Sequence, residues 1–139
     1  MSEEGAPAAE CEQTPEELLT EAEECLAQER FEAAIELFKQ IVRAEPTLPT
    51  MAKACNDCGV AYASLEQYEM ALGFFNAALN LKTYLIDEGI STYHNLGLVY
   101  QLMGDEEKAG QCFTRGEQLR QAHKRRDEEA QQILKEVFE

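Results

Sequence analysis

Apolar side chains recur along this chain at the spacing of one helix face, in stretches separated by short polar breaks. Leu18, Leu19, Ala22, Cys25 and Leu26 predict a first amphipathic helix. Its start is written explicitly in Thr14-Pro15-Glu16-Glu17: a Thr N-cap, Pro at the first helical position and Glu three residues after the cap. Gln28-Glu29-Arg30 interrupts the pattern. Phe31, Ala34, Ile35, Phe38, Ile41 and Val42 then predict a second helix, closed by Pro46 and Pro49. The same two-helix form returns from about Thr50 to Lys82, with Ala54, Cys55, Cys58, Ala61 and Tyr62 on one helix. Tyr68, Ala71, Leu72, Phe75, Ala78 and Leu79 lie on the other. After a link from Thr83 to Gly89, in which Asp87 is a candidate cap, a third unit follows. Tyr93, Leu96, Gly97 and Tyr100 precede a turn at Met103-Gly104-Asp105, and Ala109, Cys112 and Phe113 come after it. No stretch alternates with the period of two that a strand requires, so the fold class is all-α.

The three units are copies of one pattern, offset by 37 and then 38 residues. Leu18, Glu21, Ala22, Cys25, Ala34 and Phe38 in the first correspond to Cys55, Cys58, Gly59, Tyr62, Ala71 and Phe75 in the second. Tyr93, Leu96, Gly97, Tyr100, Ala109 and Phe113 complete the series. A repeat of this length predicts a stacked solenoid, because one hairpin cannot bury its apolar face alone. Ala22, Gly59 and Gly97 are small where the second helix of the same unit crosses closely. Ala34, Ala71 and Ala109 supply the small face of that second helix, and the aromatic rings fill space between units.

These residues resemble the tetratricopeptide repeat: a bulky residue, Leu-Gly, Tyr, then a small Ala, an aromatic and a closing Pro. The resemblance covers roughly Pro15 to His123 and is weakest in the first copy, which lacks Leu-Gly. It implies a helical-hairpin solenoid of three repeats, about 15–48, 52–85 and 90–123, within a folded region 14–123. The closing Pro stands only at Pro46, with Thr83 and Gln121 at the later equivalents. The family's period is about 34 residues. The extra residues fall near Pro49 and Tyr84–Gly89, either in loops or as longer helices.

Similar proteins hold extended peptides or helices in the concave groove lined by the first helix of each repeat. The resemblance therefore implies partner-binding positions at Glu16, Leu19, Glu23 and Leu26 in the first copy. Those of the second are Lys53, Asn56, Asp57, Val60 and Ser64, and those of the third Ser91, His94, Asn95, Leu98 and Gln101. One subgroup of the family grips the acidic C-terminal tail of heat-shock chaperones with Lys, Asn and Arg. The matching sites here hold Leu19, Glu23, Asp57, Ser91 and Asn95, and the two acids would repel a carboxylate, which disfavours that clamp. The expected occupant is an apolar or basic segment of a protein partner.

Past Leu119 the pattern changes. Arg120 to Gln132 is nearly free of apolar residues, yet Ile133, Leu134, Val137 and Phe138 restore an apolar face. One long C-terminal helix is expected, with 124–139 as a capping or extended end, and Lys124–Glu128 and Arg125–Glu129 as pairs one turn apart. Its last turns need a surface: the solenoid end, a second copy or a partner. This is the alternative function, an assembly subunit that docks through its C-terminal helix as a monomer in a larger complex or as a homodimer.

Charge narrows the choice. The formal net charge is −15, and residues 1–107 hold 5 basic against 21 acidic side chains while 108–139 hold 7 and 6. Such a body argues against nucleic acid as a partner and for basic ones. No apolar run approaches the roughly 18 residues that span a bilayer, so no membrane role is expected. Residues 1–13 are acidic and lack the marks of a signal or transit peptide; they predict a disordered tail. Five cysteines, an odd number without a secretion signal, point to the cytosol or nucleus.

Candidate chemistry changes little. Cys55-Asn56-Asp57-Cys58 is a lone CxxC with no second pair, at positions where the repeat requires core residues, so no metal or other cofactor is expected. His94 and His123 stand apart, no phosphate-binding glycine loop occurs, and no enzyme activity is expected. His123-Lys124-Arg125-Arg126 reads either as an import or RNA-contact signal or, more simply, as helix charge paired with Asp127 to Glu129.

Overall fold

A computed structural model describes residues 13–139; the expected tail, apart from Gln13, lies outside the described residues. Six α-helices follow in order: α1 Pro15–Ala27, α2 Phe31–Arg43, α3 Leu48–Ser64, α4 Tyr68–Asn80, α5 Ile90–Leu102 and α6 Glu106–Phe138. A 3-10 turn, Lys82–Tyr84, lies between α4 and α5. They form three antiparallel hairpins, α1 with α2, α3 with α4 and α5 with α6, stacked so that α2 meets α3 and α4 meets α5. No described residue lies in a strand. This is the tetratricopeptide-type solenoid with a long C-terminal helix.

The capping box opens α1 as its residues require. Thr14 Oγ1 accepts from Glu17 N–H at 3.1 Å, and Thr14 N–H donates to Glu17 Oε1 at 2.9 Å. The crossings show why the small positions are small. A Cβ on Gly59 would stand 2.6 Å from Phe75 Cε1, and one on Gly97 would run into Phe113 in the same way. Ala22, Ala34, Ala71 and Ala109 are all essentially without solvent contact. Enclosing a ring such as Phe75 contributes about 1.5–3 kcal/mol, and glycine is what lets it sit against the helix backbone.

Each hairpin turns through one residue in left-handed backbone. Glu29 (φ 61°), Glu66 (φ 61°) and Gly104 (φ 88°) hold it at equivalent positions. The following N–H then reaches back to a carbonyl of the previous helix: Arg30 to Cys25 at 2.8 Å, Gln67 to Tyr62 at 2.9 Å and Asp105 to Tyr100 at 2.8 Å. Only the third turn uses the residue without a Cβ. Glu66→Gly is therefore expected to stabilise the chain by about 0.5–1 kcal/mol, relieving the left-handed strain at some cost in chain entropy. A urea midpoint at or below the wild type would contradict it.

Two expectations change. Pro49 does not close α2, which ends at Arg43; it lies in the first turn of α3, where its missing N–H costs no hydrogen bond. The extra residues between the first two copies thus lengthen α3 at its start, before the expected boundary at 52, whereas those between the second and third copies form the 3-10 turn and loop. The pairs Lys124–Glu128 and Arg125–Glu129 are not among the ion pairs of the described residues. Glu88 draws this stretch instead: Arg126 Nη2 lies 2.8 Å and His123 Nε2 3.3 Å from its Oε1. The Glu88 carboxylate accepts from Arg126 with both oxygens, Nη1 at 3.1 Å and Nη2 at 2.8 Å, a two-pronged pairing across elements.

Candidate functional site

The first helices α1, α3 and α5 present one shared face. Its centre is a cavity of about 460 Å³ walled by Leu19, Lys53, Asn56 and Ser91, with Thr92 and the loop around Ile86 completing it. Four of the predicted positions therefore meet here, one from α1, two from α3 and one from α5. The longer start of α3 contributes directly, because Thr50 Oγ1 donates to Glu16 Oε2 at 3.2 Å and brings Glu16 to the rim. Lys53 Nζ lies 2.9 Å from Glu23 Oε2. That contact, with Asp57 and Asp87 also near, raises the pKa of Lys53 against the opposing effect of its partial burial.

Asp57 sits beneath this pair. Burial, and then the facing Glu23 carboxylate, push its pKa up to about 7, only partly countered by Lys53. Its Oδ2 is buried with no hydrogen-bond partner among the described residues. Asp87 behaves oppositely. Burial pushes it up, but hydrogen bonds from Ser91 Oγ at 2.7 Å, Ser91 N–H at 2.9 Å and Gly89 N–H at 3.0 Å hold it below the usual carboxylate range. Asp87 thereby fixes both the loop and the start of α5, as its position before the third unit suggested. Between α3 and α5, Asn56 Oδ1 accepts from Thr92 Oγ1 at 2.7 Å and from Asn95 Nδ2 at 3.5 Å.

Other predicted positions lie elsewhere. Leu26 and Val60 are half-buried and pack against the core. Leu19 is itself 8% exposed, so it offers the cavity an edge rather than a side chain. His94 tilts over Phe113 with ring centres 5.7 Å apart and faces, with Asn95, a separate hollow against α6. Ser64, Leu98 and Gln101 are exposed and line neither hollow. The residues missed are Thr50, Thr92 and the loop Tyr84–Asp87, in which Ile86 is 99% exposed. The lengthened spacing between the second and third copies was the available signal for that loop.

The cysteines fall into the pattern of the repeat. Cys58 is core at 3% exposure and Cys55 is half-buried on the opposite side of α3 from Lys53. Burial raises both thiols, Cys58 to about 12 with help from Cys55 and Asp57, which keeps them protonated and poorly reactive. No helix among the described residues is long and apolar enough to cross a membrane.

A tetratricopeptide repeat family model matches residues 90–123, the hairpin of α5 and the first half of α6. Two solved structures share the fold: a crystal structure of MamA, with a TM-score of 0.70 and 18% identity over 81% of this chain, and MamA 41-end from Desulfovibrio magneticus RS-1, with a TM-score of 0.66 and 23% identity over 76%. This chain spans 61% and 55% of those two chains. No curated protein matches the sequence. The family model recognises the third hairpin, and over the rest of the chain the likeness to these solved structures is one of fold.

Proposed function

We propose that the chain is a non-enzymatic protein-interaction scaffold whose first-helix face holds a partner segment carrying a basic side chain beside an aliphatic one. The observation behind this reading is the charge balance around the cavity. Among the described residues Lys53 is the one cation beside Glu16, Glu23, Asp57 and Asp87, and it is already held by Glu23. An incoming guanidinium or ammonium would relieve that excess of carboxylates, whereas an acidic tail would add to it. Beside the acids, Ile86 and Tyr84 (44% exposed) supply the apolar contact.

Selection from a library of random displayed peptides tests this. Wild-type protein is expected to enrich sequences with Arg or Lys next to an aliphatic residue, and the double variant Asn56→Arg, Ile86→Glu to enrich none of them. Enrichment of acidic peptides, or of the same peptides by the variant, would overturn it. Leu98 stands outside the cavity, so Leu98→Glu serves as the folded control.

A second reading is assembly through α6. It is favoured by the exposure of Ile133 (59%), Leu134 (55%), Val137 (67%) and Phe138 (82%) on a helix that has left the repeats.

A further inference from the structure

A second hollow, of about 410 Å³, opens on the opposite side of α3, between α2 and α4. Its origin is a substitution within the repeat. Where the third copy places Tyr93, whose ring reaches over Gly89, the second copy has Cys55, and the smaller side chain leaves the space unfilled. Tyr62 and Phe74, stacked 5.4 Å apart, form part of its lining, and Val42 (49% exposed) and Met70 (46%) stand at its mouth. Among the described residues its charged lining is Lys39 and Arg43, both basic, in a region of the chain that carries just 5 basic residues; Lys39 Nζ lies 3.2 Å from Glu36 Oε2 on the same exposed helix edge. A hollow lined by Met51 and Met70 adapts readily to a helix side chain.

The same chain carries a segment of matching chemistry. At about 1.5 Å per residue, the 33 residues of α6 extend about 50 Å, and among the helices α6 packs chiefly on α5. Its described tie to a loop is the contact of His123 and Arg126 with Glu88, and from Asp127 onward every side chain is exposed. Ile133 and Val137, and likewise Leu134 and Phe138, are one turn apart, which is the anchor spacing of a helix that lies in a groove. Glu129 and Glu136 stand one turn before and after Ile133, along one edge of this stripe. An apolar stripe edged by acids thus exists alongside an apolar groove edged by bases. The groove belongs to the first two hairpins and the stripe lies beyond the third.

We propose that the end of α6 docks into the α2–α3–α4 groove of a second copy of this chain, with Glu129 and Glu136 against Lys39 and Arg43. Reciprocal exchange would make a closed two-fold dimer in which each copy gives one stripe and one groove. The proposal rests on the assembly reading and is independent of the first-helix face, which points away from the groove.

Sedimentation equilibrium of the full chain, from micromolar to hundreds of micromolar, tests it. The wild type is expected to dimerise. Met70→Glu and Val137→Glu, both at exposed positions, are each expected to weaken the dimer by about tenfold or more while circular dichroism stays unchanged. Lys39→Glu with Arg43→Glu should weaken it too, and adding Glu129→Lys and Glu136→Lys in the same chain should restore it. A wild type that stays monomeric, a dimer indifferent to Met70→Glu or to Val137→Glu, or a charge swap that restores nothing overturns the proposal. The assembly reading itself falls separately, if Val137→Glu also leaves unchanged the set of proteins that the chain retains from a cell extract.

Discussion

Gly59→Leu is expected to destabilise the chain by about 3 kcal/mol or more, at the upper end of what overfilling a packed crossing costs, and to lower the melting temperature by on the order of 10 °C. The space beside Gly59 is occupied by the ring of Phe75, which is 1% exposed and enclosed by the second and third hairpins. The ring cannot turn aside without opening the junction it fills. Gly97→Leu meets the same obstacle in Phe113, but Phe113 is only half-buried, so the ring can yield towards solvent. The loss at Gly97 should therefore be smaller than at Gly59. Gly110→Ala is the control: a Cβ there meets nothing within 4 Å, and removing a helical glycine should stabilise by about 0.5–1 kcal/mol. Thermal unfolding of the three variants checks the order, and a Gly59→Leu chain that melts with the wild type would contradict the register of the repeat.

That register was legible because it is set by sterics within one hairpin. Ala22, Gly59 and Gly97 oppose Phe38, Phe75 and Phe113 at fixed distances along the sequence, so any chain that folds this way must write the pattern down. The start at Thr14-Pro15 was legible for the same local reason. Boundaries between hairpins were not, because Pro49 is compatible both with ending one helix and with beginning the next. What decides is tertiary: the extra turn of α3 places Thr50 within a hydrogen bond of Glu16.

The candidate site was legible only in part, since it depends on how one hairpin is placed against the next. Positions on α1, α3 and α5 could be assigned to a face, and Leu19, Lys53, Asn56 and Ser91 do share a cavity. Which of the others reach it follows from contacts between repeats. Val60 is taken up by packing against the cluster of Phe75, Leu96 and Val99, and His94 turns to the half-buried ring of Phe113. The pairing of His123 and Arg126 with Glu88 crosses from α6 to the inter-repeat loop, and nothing in helical periodicity could announce it. The hollow beside Cys55 was within reach: comparing Cys55 with Tyr93 at the same repeat position exposes the missing volume.

Asp57→Asn is expected to stabilise the chain by about 1–3 kcal/mol more at pH 8 than at pH 5. In the fold, burial and the facing Glu23 raise the Asp57 pKa to about 7, against roughly 3.9 in an unfolded chain. Between those values the folded state holds a proton that the unfolded state has released. Stability from this group is then largest at low pH and is lost as pH rises through about 4 to 7, opposite in sign to a carboxylate held in an ion pair. Asparagine keeps the shape and a neutral side chain, so it removes the cost of charging a buried group beside Glu23 while leaving the low-pH state nearly as it was. Urea unfolding of wild type and variant across pH 5 to 8 would reveal the difference, and parallel curves would contradict the assignment. The same titration bears on partner capture. A basic side chain seated against Glu23 and Asp57 favours the charged carboxylate, so binding should release a proton and strengthen from pH 6 to pH 8 in the wild type. In Asp57→Asn that dependence should be lost, and a calorimetric titration in two buffers of different ionisation enthalpy would count the proton directly.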